Sequence, residues 1–270
     1  MKPPRPGPFA GAGRDPNAPR ADVSRRGHDG MIRPMRDTAP PKQLAFDLPL
    51  DPRYGREDFL VGPANEAAYA LVEAWPDWPD TVLVLTGPPG SGKSHLASIW
   101  AGRAHAWTVP VSGVTGESVT HLVSNGALVV EDVDRAEARD EAALFHLLNL
   151  ARERKAPVLL TSAKPVDALE LRTADLRSRL RLAPGAEILS PDDALLRAVI
   201  VKLFVDRQLV VDLAVIDAVA LRIDRSLGRA REVVSELDRD ALGRGRRITK
   251  PLALAVLERM GVGEGEGDED

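Results

Sequence analysis

Residues 87–94 read GPPGSGKS, which fits the spacing G-x-x-x-x-G-K-[ST]. A run of phosphates needs several backbone N–H groups pointing inward. A glycine-rich turn through Gly87, Pro88, Pro89, Gly90, Ser91 and Gly92 can supply them. A helix beginning directly after the turn adds the partial positive charge of its N-terminus. Lys93 would reach the β- and γ-phosphates, and the Ser94 hydroxyl would ligate Mg²⁺. The stretch therefore predicts a site for ADP or ATP with Mg²⁺. His95 is counted with the nucleotide-contacting residues, with packing as its alternative, while Trp100 and Trp107 read as packing residues.

Such a turn needs an acid across the site to hold the metal and orient water. The run ALVVEDVD (127–134) supplies Glu131 and Asp132 at the end of an apolar segment. We place Glu131 with Ser94 as a metal ligand and Asp132 as the residue that positions the attacking water. The usual acid in the metal slot is Asp, so Glu131 is a departure. The two roles are exchangeable at this stage, which leaves hydrolysis by the chain itself open and its nucleotide binding unaffected.

These residues must be held by strands and helices. TVLVLT (81–86), AWTVPV (106–111), ALVVEDVD and PVLLTSA (157–163) are short apolar runs that read as buried strands, and RLRLAPGAEIL (179–189) as a last one. Helical patterns alternate with them at 65–75, 93–105, 116–124 and 139–156. In the last of these, Ala143, Leu144, Leu147, Leu148 and Leu150 share a broad face. Strands alternating with helices predict an α/β domain over 56–189, with a parallel sheet covered on both sides. From Ser190, with Pro191 at the first helical position, every periodic segment is helical: 191–207, 213–223, 229–242 and 250–260. These predict a small all-α domain over 190–261.

Composition sets bounds. The chain has 270 residues, 44% apolar and 28% charged, and can bury a sizeable core. A net charge of −4 gives no overall attraction to nucleic acid or an anionic membrane. There is no cysteine, which suits a reducing cytosol, and a cytoplasmic location is expected. No apolar run is long enough to span a bilayer, and the opening residues lack the apolar stretch of a secretory signal. Residues 1–41 are rich in Pro, Arg and Gly and read as a disordered arm, in which Met31 and Met35 offer alternative starts. Residues 262–270 read as a solvated acidic tail.

Several stretches together resemble one family. DFLVGPANEAAYALV (58–72) resembles the segment of the bacterial replication initiator DnaA that closes over the adenine. DLRSRL (175–180) resembles its arginine-finger box, and GRAREVVSEL (228–237) its sensor-2 helix. With the helical region as lid, the resemblance covers about residues 56–260 and implies an AAA+ P-loop domain followed by a small all-α lid. It further implies that Val61 and Gly62 lie at the adenine, that Arg231 is the sensor-2 arginine and that Ser162 is the first sensor. Arg179 would be a finger reaching a neighbouring subunit's nucleotide. The alternatives are a surface charge beside Arg177 and Arg181 for Arg179, and Arg229 in place of Arg231. Ala163 stands where the family often has Asp, which again bears on autonomous hydrolysis. A whole initiator carries a DNA-reading helix-turn-helix domain beyond the lid. This sequence ends soon after its last helical segment, so the expectation is a regulator without direct specific DNA binding.

QLAFDL (43–48), within an exposed peptide over 42–50, resembles the motif by which bacterial replication proteins dock on the DNA polymerase III sliding clamp (its beta subunit). Gln43 would fix the register, while Leu44, Phe46 and Leu48 fill the groove. The alternative is an extra strand docked on the chain's own domain. The implied activity is that of DnaA-related regulators: bound to nucleotide and clamp, the chain stimulates ATP hydrolysis by DnaA. Self-association is compatible with this. The competing readings are a helicase-loader-like ATPase and a self-contained P-loop NTPase.

Overall fold

In the computed structural model, which describes residues 55–244 and 246–262, the apolar runs become five strands of one sheet. They are β1 Val82–Thr86, β2 Trp107–Pro110, β3 Leu128–Glu131, β4 Val158–Ser162 and β5 Gly185–Glu187. The order is β2-β3-β4-β1-β5, and every pairing is parallel. Successive side chains on a strand point to opposite faces, so each strand feeds two cores. Val82, Val84, Val130, Val158 and Leu160 pack under α3 (Val119–Ser124), α4 (Glu141–Arg154) and α5 (Ala174–Leu182). Leu83, Leu85, Val129 and Leu159 pack under α1 (Glu66–Glu73) and α2 (Lys93–Ala104). Burial on both faces explains why these strands read as unbroken apolar runs.

Two expectations shift. RLRLAPGAEIL is not one strand: residues up to Leu182 complete α5, whose Leu176 and Leu180 are buried at helical spacing. Pro184 forces Ala183 into an extended conformation and ends the helix, leaving three residues for β5. On α4 the buried stripe is Leu144, Leu147, Leu148 and Ala151, while Leu150 falls beside it and is half-buried.

The helical region comprises α6 (Asp193–Asp206), α7 (Leu213–Ala220), α8 (Leu227–Arg244) and α9 (Lys250–Arg259). Its cap is Asp192, not Ser190: the Asp192 carboxylate accepts from the Leu195 N–H at 2.7 Å. The four helices close on Ile200, Phe204, Val215, Val233, Val256 and their neighbours. Val262, counted with the tail from sequence, belongs to this core.

The start of α8 is fixed from outside the helical region. The Leu227 and Gly228 N–H groups donate to the Gly90 carbonyl at 2.9 and 3.3 Å, so the glycine-rich turn caps the start of α8. Gly90 has φ +74, and a Cβ there would stand 2.0 Å from Ser226 Oγ, so only glycine fits.

Trp75, Trp78 and Trp100 cluster behind α1 and α2, with the Trp78 and Trp100 rings stacked at 4.8 Å. Trp107, expected to pack, is instead 40% exposed on the edge strand β2 against His121. The arm over 1–41, the peptide with Gln43, Leu44, Phe46 and Leu48, and residues 263–270 lie outside the described residues. Among the described residues no helix is long and apolar enough to cross a membrane.

Candidate functional site

The chemistry-bearing residues collect at the C-terminal ends of the parallel strands, where such sheets open a crevice. The turn after β1 carries Gly87 at φ +149, where a Cβ would stand 2.2 Å from the Ile188 carbonyl oxygen. Lys93 leaves α2 and folds back, donating to the Gly87 and Pro88 carbonyls at 2.7 and 2.9 Å. Burial pushes its pKa down, and the carboxylates of Asp132, Asp134 and Glu131 pull it back toward the charged form.

A cavity of about 450 Å³ opens between this turn and the helical region. Pro89, Gly90, Gly92, Lys93, Ser94 and His95 line it, joined by Asp132 and by Arg231 from α8. Gly87, Pro88 and Ser91 form the back of the turn. The Ser91 hydroxyl is buried there without a hydrogen-bond partner. Asp58, Phe59, Leu60 and Asn65 line the cavity as well, together with Val199, Lys202, Leu203 and Asp206 of α6. The Phe59 ring stacks on Tyr69 at 5.6 Å and meets His95 edge-on at 5.2 Å. Burial holds the His95 imidazole below its usual pKa, and Arg231 adds to this.

Several sequence-derived residues sit differently. Val61 and Gly62 do not line the cavity. Val61 is 48% exposed, and the Gly62 N–H donates to the Asn65 side chain at 2.8 Å. Phe59, Leu60 and Asn65 from the same stretch line it instead. Ser162 is buried, with its hydroxyl committed to the turn that follows: it donates to the Lys164 carbonyl and accepts the Lys164 N–H at 3.1 Å. Arg229 turns away to Glu232 at 3.0 Å and the Met260 carbonyl at 3.2 Å, so Arg231 is the α8 arginine at the cavity.

Glu131 ends β3 without lining the cavity. Asp132 lines it, in a left-handed backbone conformation at φ +57, with its carboxylate 2.9 Å from Arg135. Its N–H donates to Thr161 Oγ1 at 3.1 Å. Asp134 accepts the Ala163 N–H at 2.7 Å, tying the β3 loop to the end of β4. Thr161 and Asp134 escaped the sequence reading. The third acid of EDVD was the available signal for Asp134.

The three arginines of α5 have different fates. Arg177 donates to the Leu171 carbonyl, and Arg181 pairs with Asp167. Arg179 is exposed, has no ion pair or hydrogen bond among the described residues, and does not line the chain's own cavity. Its helix is anchored by Glu141, whose carboxylate accepts the Arg172 and Thr173 N–H groups at 3.0 and 2.8 Å. Arg139, buried beside it, donates to the Val133 and Glu170 carbonyls at 2.7 Å each. Burial alone would push the Glu141 carboxyl up, but these N–H groups, the Thr173 hydroxyl and Arg139 outweigh it and hold it at about 2. The folded-state value lies below the unfolded one, so this stabilisation is full above about pH 4.5 and is lost as pH falls toward 2. Glu141→Gln is expected to cost about 2 kcal/mol at pH 7 and a minor fraction of that at pH 2.5, as checked by urea unfolding at the two pH values.

The residues present fit a nucleoside phosphate. The turn has an inward cation, the cavity is of ligand size, and its wall sets Phe59, Leu60 and Leu203 beside charged groups such as Asp58, Lys202 and Arg231. Of the two residues expected to hold Mg²⁺, only Ser94 lines the cavity, and no group of three acidic or histidine ligands stands among the described residues.

This arrangement has known counterparts. Domain III of DnaA from Thermotoga maritima superposes with a TM-score of 0.67 at 21% identity, over 78% of this chain and 98% of that one. The fold is the AAA+ fold of DnaA domain III. AMPPCP-bound DnaA from Aquifex aeolicus gives a TM-score of 0.57 at 20% identity, over 69% of this chain and 64% of that one. In sequence, the chain is 27% identical over 184 residues to DnaA of Limosilactobacillus fermentum, covering 58% of this chain and 42% of the relative. The chain spans about half or less of the length of such curated relatives. No protein-family model matches it.

Proposed function

We propose that this chain is a nucleotide-bound regulator of the initiator DnaA, of the kind represented by Hda. It holds ADP or ATP with Mg²⁺ in the cavity between the glycine turn and the lid. Gln43, Leu44, Phe46 and Leu48 dock it on the DNA-loaded sliding clamp. It then packs against ATP-bound DnaA and presents Arg179 to that nucleotide, so that DnaA hydrolyses its ATP.

The observation that carries the reading is the state of Arg179. An arginine serving its own fold finds a carboxylate or carbonyl, as Arg177 and Arg181 do. Arg179 finds none among the described residues and stands outside its own cavity, as a group reserved for a neighbour's phosphates would. Weak turnover by the chain itself is supported by two contacts: Asp132 is paired with Arg135, and the Ser162 hydroxyl is committed to backbone.

The test is phosphate release by ATP-loaded DnaA with and without this chain and DNA-loaded clamp. Stimulation that requires both additions supports the reading; an unchanged rate overturns it. Replacing Gln43, Leu44 and Phe46 together by Ala is expected to abolish co-migration with the clamp on a sizing column. ADP affinity should stay as in the parent chain, because the peptide precedes the nucleotide-binding region. Retained co-migration would return the peptide to the role of an added strand on its own domain.

A further inference from the structure

The glycine turn is tied to the helical region by the backbone contact at Gly90, and a second tie across the cavity is made by charge. Lys202, on α6, donates to Asp58 at 2.6 Å across a sequence separation of 144 residues. The same ammonium donates to both oxygens of Asp206, one helical turn on, at 3.0 Å. All three side chains line the cavity.

Asp58 directly precedes Phe59, and the segment around them is held from several directions. His95 of α2 meets the Gly55 carbonyl at 3.3 Å. Arg56 bonds Tyr69 and Glu73 of α1. Those contacts stay within the α/β layer. The Lys202–Asp58 pair instead joins this segment to the lid.

We propose that Lys202 is a positioning residue for the bound nucleotide: through Asp58 it clasps the lid helix α6 to the Phe59 segment and so sets how long the nucleotide is retained. The inference rests on the nucleotide reading of the cavity. The pair is only partly screened, its side chains being 22% and 13% exposed. The Lys202 hydrogen bond holds the Asp58 carboxyl below its usual pKa, so the pair is charged at neutral pH. Asp206 makes the clasp reversible. When Lys202 leaves Asp58 it keeps a carboxylate partner, so opening costs one charge-assisted bond and strands no cation.

The test follows a fluorescent ADP analogue, mant-ADP, leaving the full chain when chased with excess ADP. Lys202→Met and Asp58→Asn are each expected to speed dissociation about tenfold, the effect of losing one charge-assisted bond. Lys202→Arg, which keeps the charge, should stay within about threefold of the parent, and the double variant should be no faster than either single one. Unaltered dissociation from Lys202→Met overturns the clasp, as does Lys202→Arg as fast as Lys202→Met, or additive effects in the double variant. Failure of the parent chain to bind mant-ADP at all would instead sink the nucleotide reading, and the clasp with it.

Discussion

Lys93→Ala is expected to remove measurable nucleotide binding, raising the Kd for ADP by about a hundredfold or more. The ammonium is held over the turn by two carbonyls, 2.7 and 2.9 Å away, and faces three carboxylates. It is therefore placed before any ligand arrives. A phosphate entering this turn replaces those carbonyls with stronger, charged acceptors, and a charge-assisted bond is worth about 1.5–3 kcal/mol. Without the cation, the phosphates would also meet the field of Glu131, Asp132 and Asp134 with no counter-charge, and that repulsion adds to the lost bond. Lys93→Arg should recover little, because a planar guanidinium does not fit a point-charge seat. The measurement is ADP titration by calorimetry, with the ADP-induced rise in melting temperature as a second reading. Binding by Lys93→Ala at parental affinity would show that the turn is not a phosphate site.

Arg179→Ala should leave the fold, ADP binding and clamp binding as they are and remove most of the stimulation of DnaA, a loss of about 10³-fold or more. The side chain makes no hydrogen bond or ion pair among the described residues. Its helix is held by Leu176 and Leu180 in the core and by Glu141 at the helix start. Truncation should therefore not loosen α5. Arg177→Ala is the informative contrast, because Arg177 donates to the Leu171 carbonyl and its loss should cost stability before activity. The comparison is DnaA-ATP hydrolysis under saturating loaded clamp with each variant, beside their melting curves. Full stimulation by Arg179→Ala would eliminate the finger and leave sequestration of DnaA as the mode of action.

The fold was legible because both signals it needs are local. An apolar run too short for a helix becomes a buried strand, and i, i+3, i+4 stripes become helices. The break in RLRLAPGAEIL was misread because Leu176 and Leu180 continue a helical period through residues that also look like a strand. Pro184 was the discriminating residue. The glycine turn was equally plain, since its demands sit within eight consecutive residues. The walls of the cavity were not. Phe59 and Leu60 were within reach, as neighbours of the residues chosen. Lys202 and Asp206 could be found only by noticing that α6 carries a second stripe, Val199, Lys202, Leu203 and Asp206, beside its core stripe of Leu196, Ile200 and Phe204. What that stripe faces depends on how two distant segments meet, and no local period records it. The fates of Ser162 and Arg229 belong to the same class, each decided by a backbone carbonyl.

The placement of the aromatic side chains has a spectroscopic consequence. All four tryptophans, at 75, 78, 100 and 107, lie on β2, α2 or the connection between α1 and β1, and the helices from α6 to α9 contain neither Trp nor Tyr. Indole fluorescence is therefore blind to the lid, whereas far-ultraviolet circular dichroism draws much of its helical signal from it. A denaturant titration followed by both probes reads the two regions separately. If the α8 cap at Gly90 and the cavity-wall contacts make them one cooperative unit, the two curves will coincide. If the lid melts by itself, ellipticity will fall while the indole spectrum stays that of the native protein.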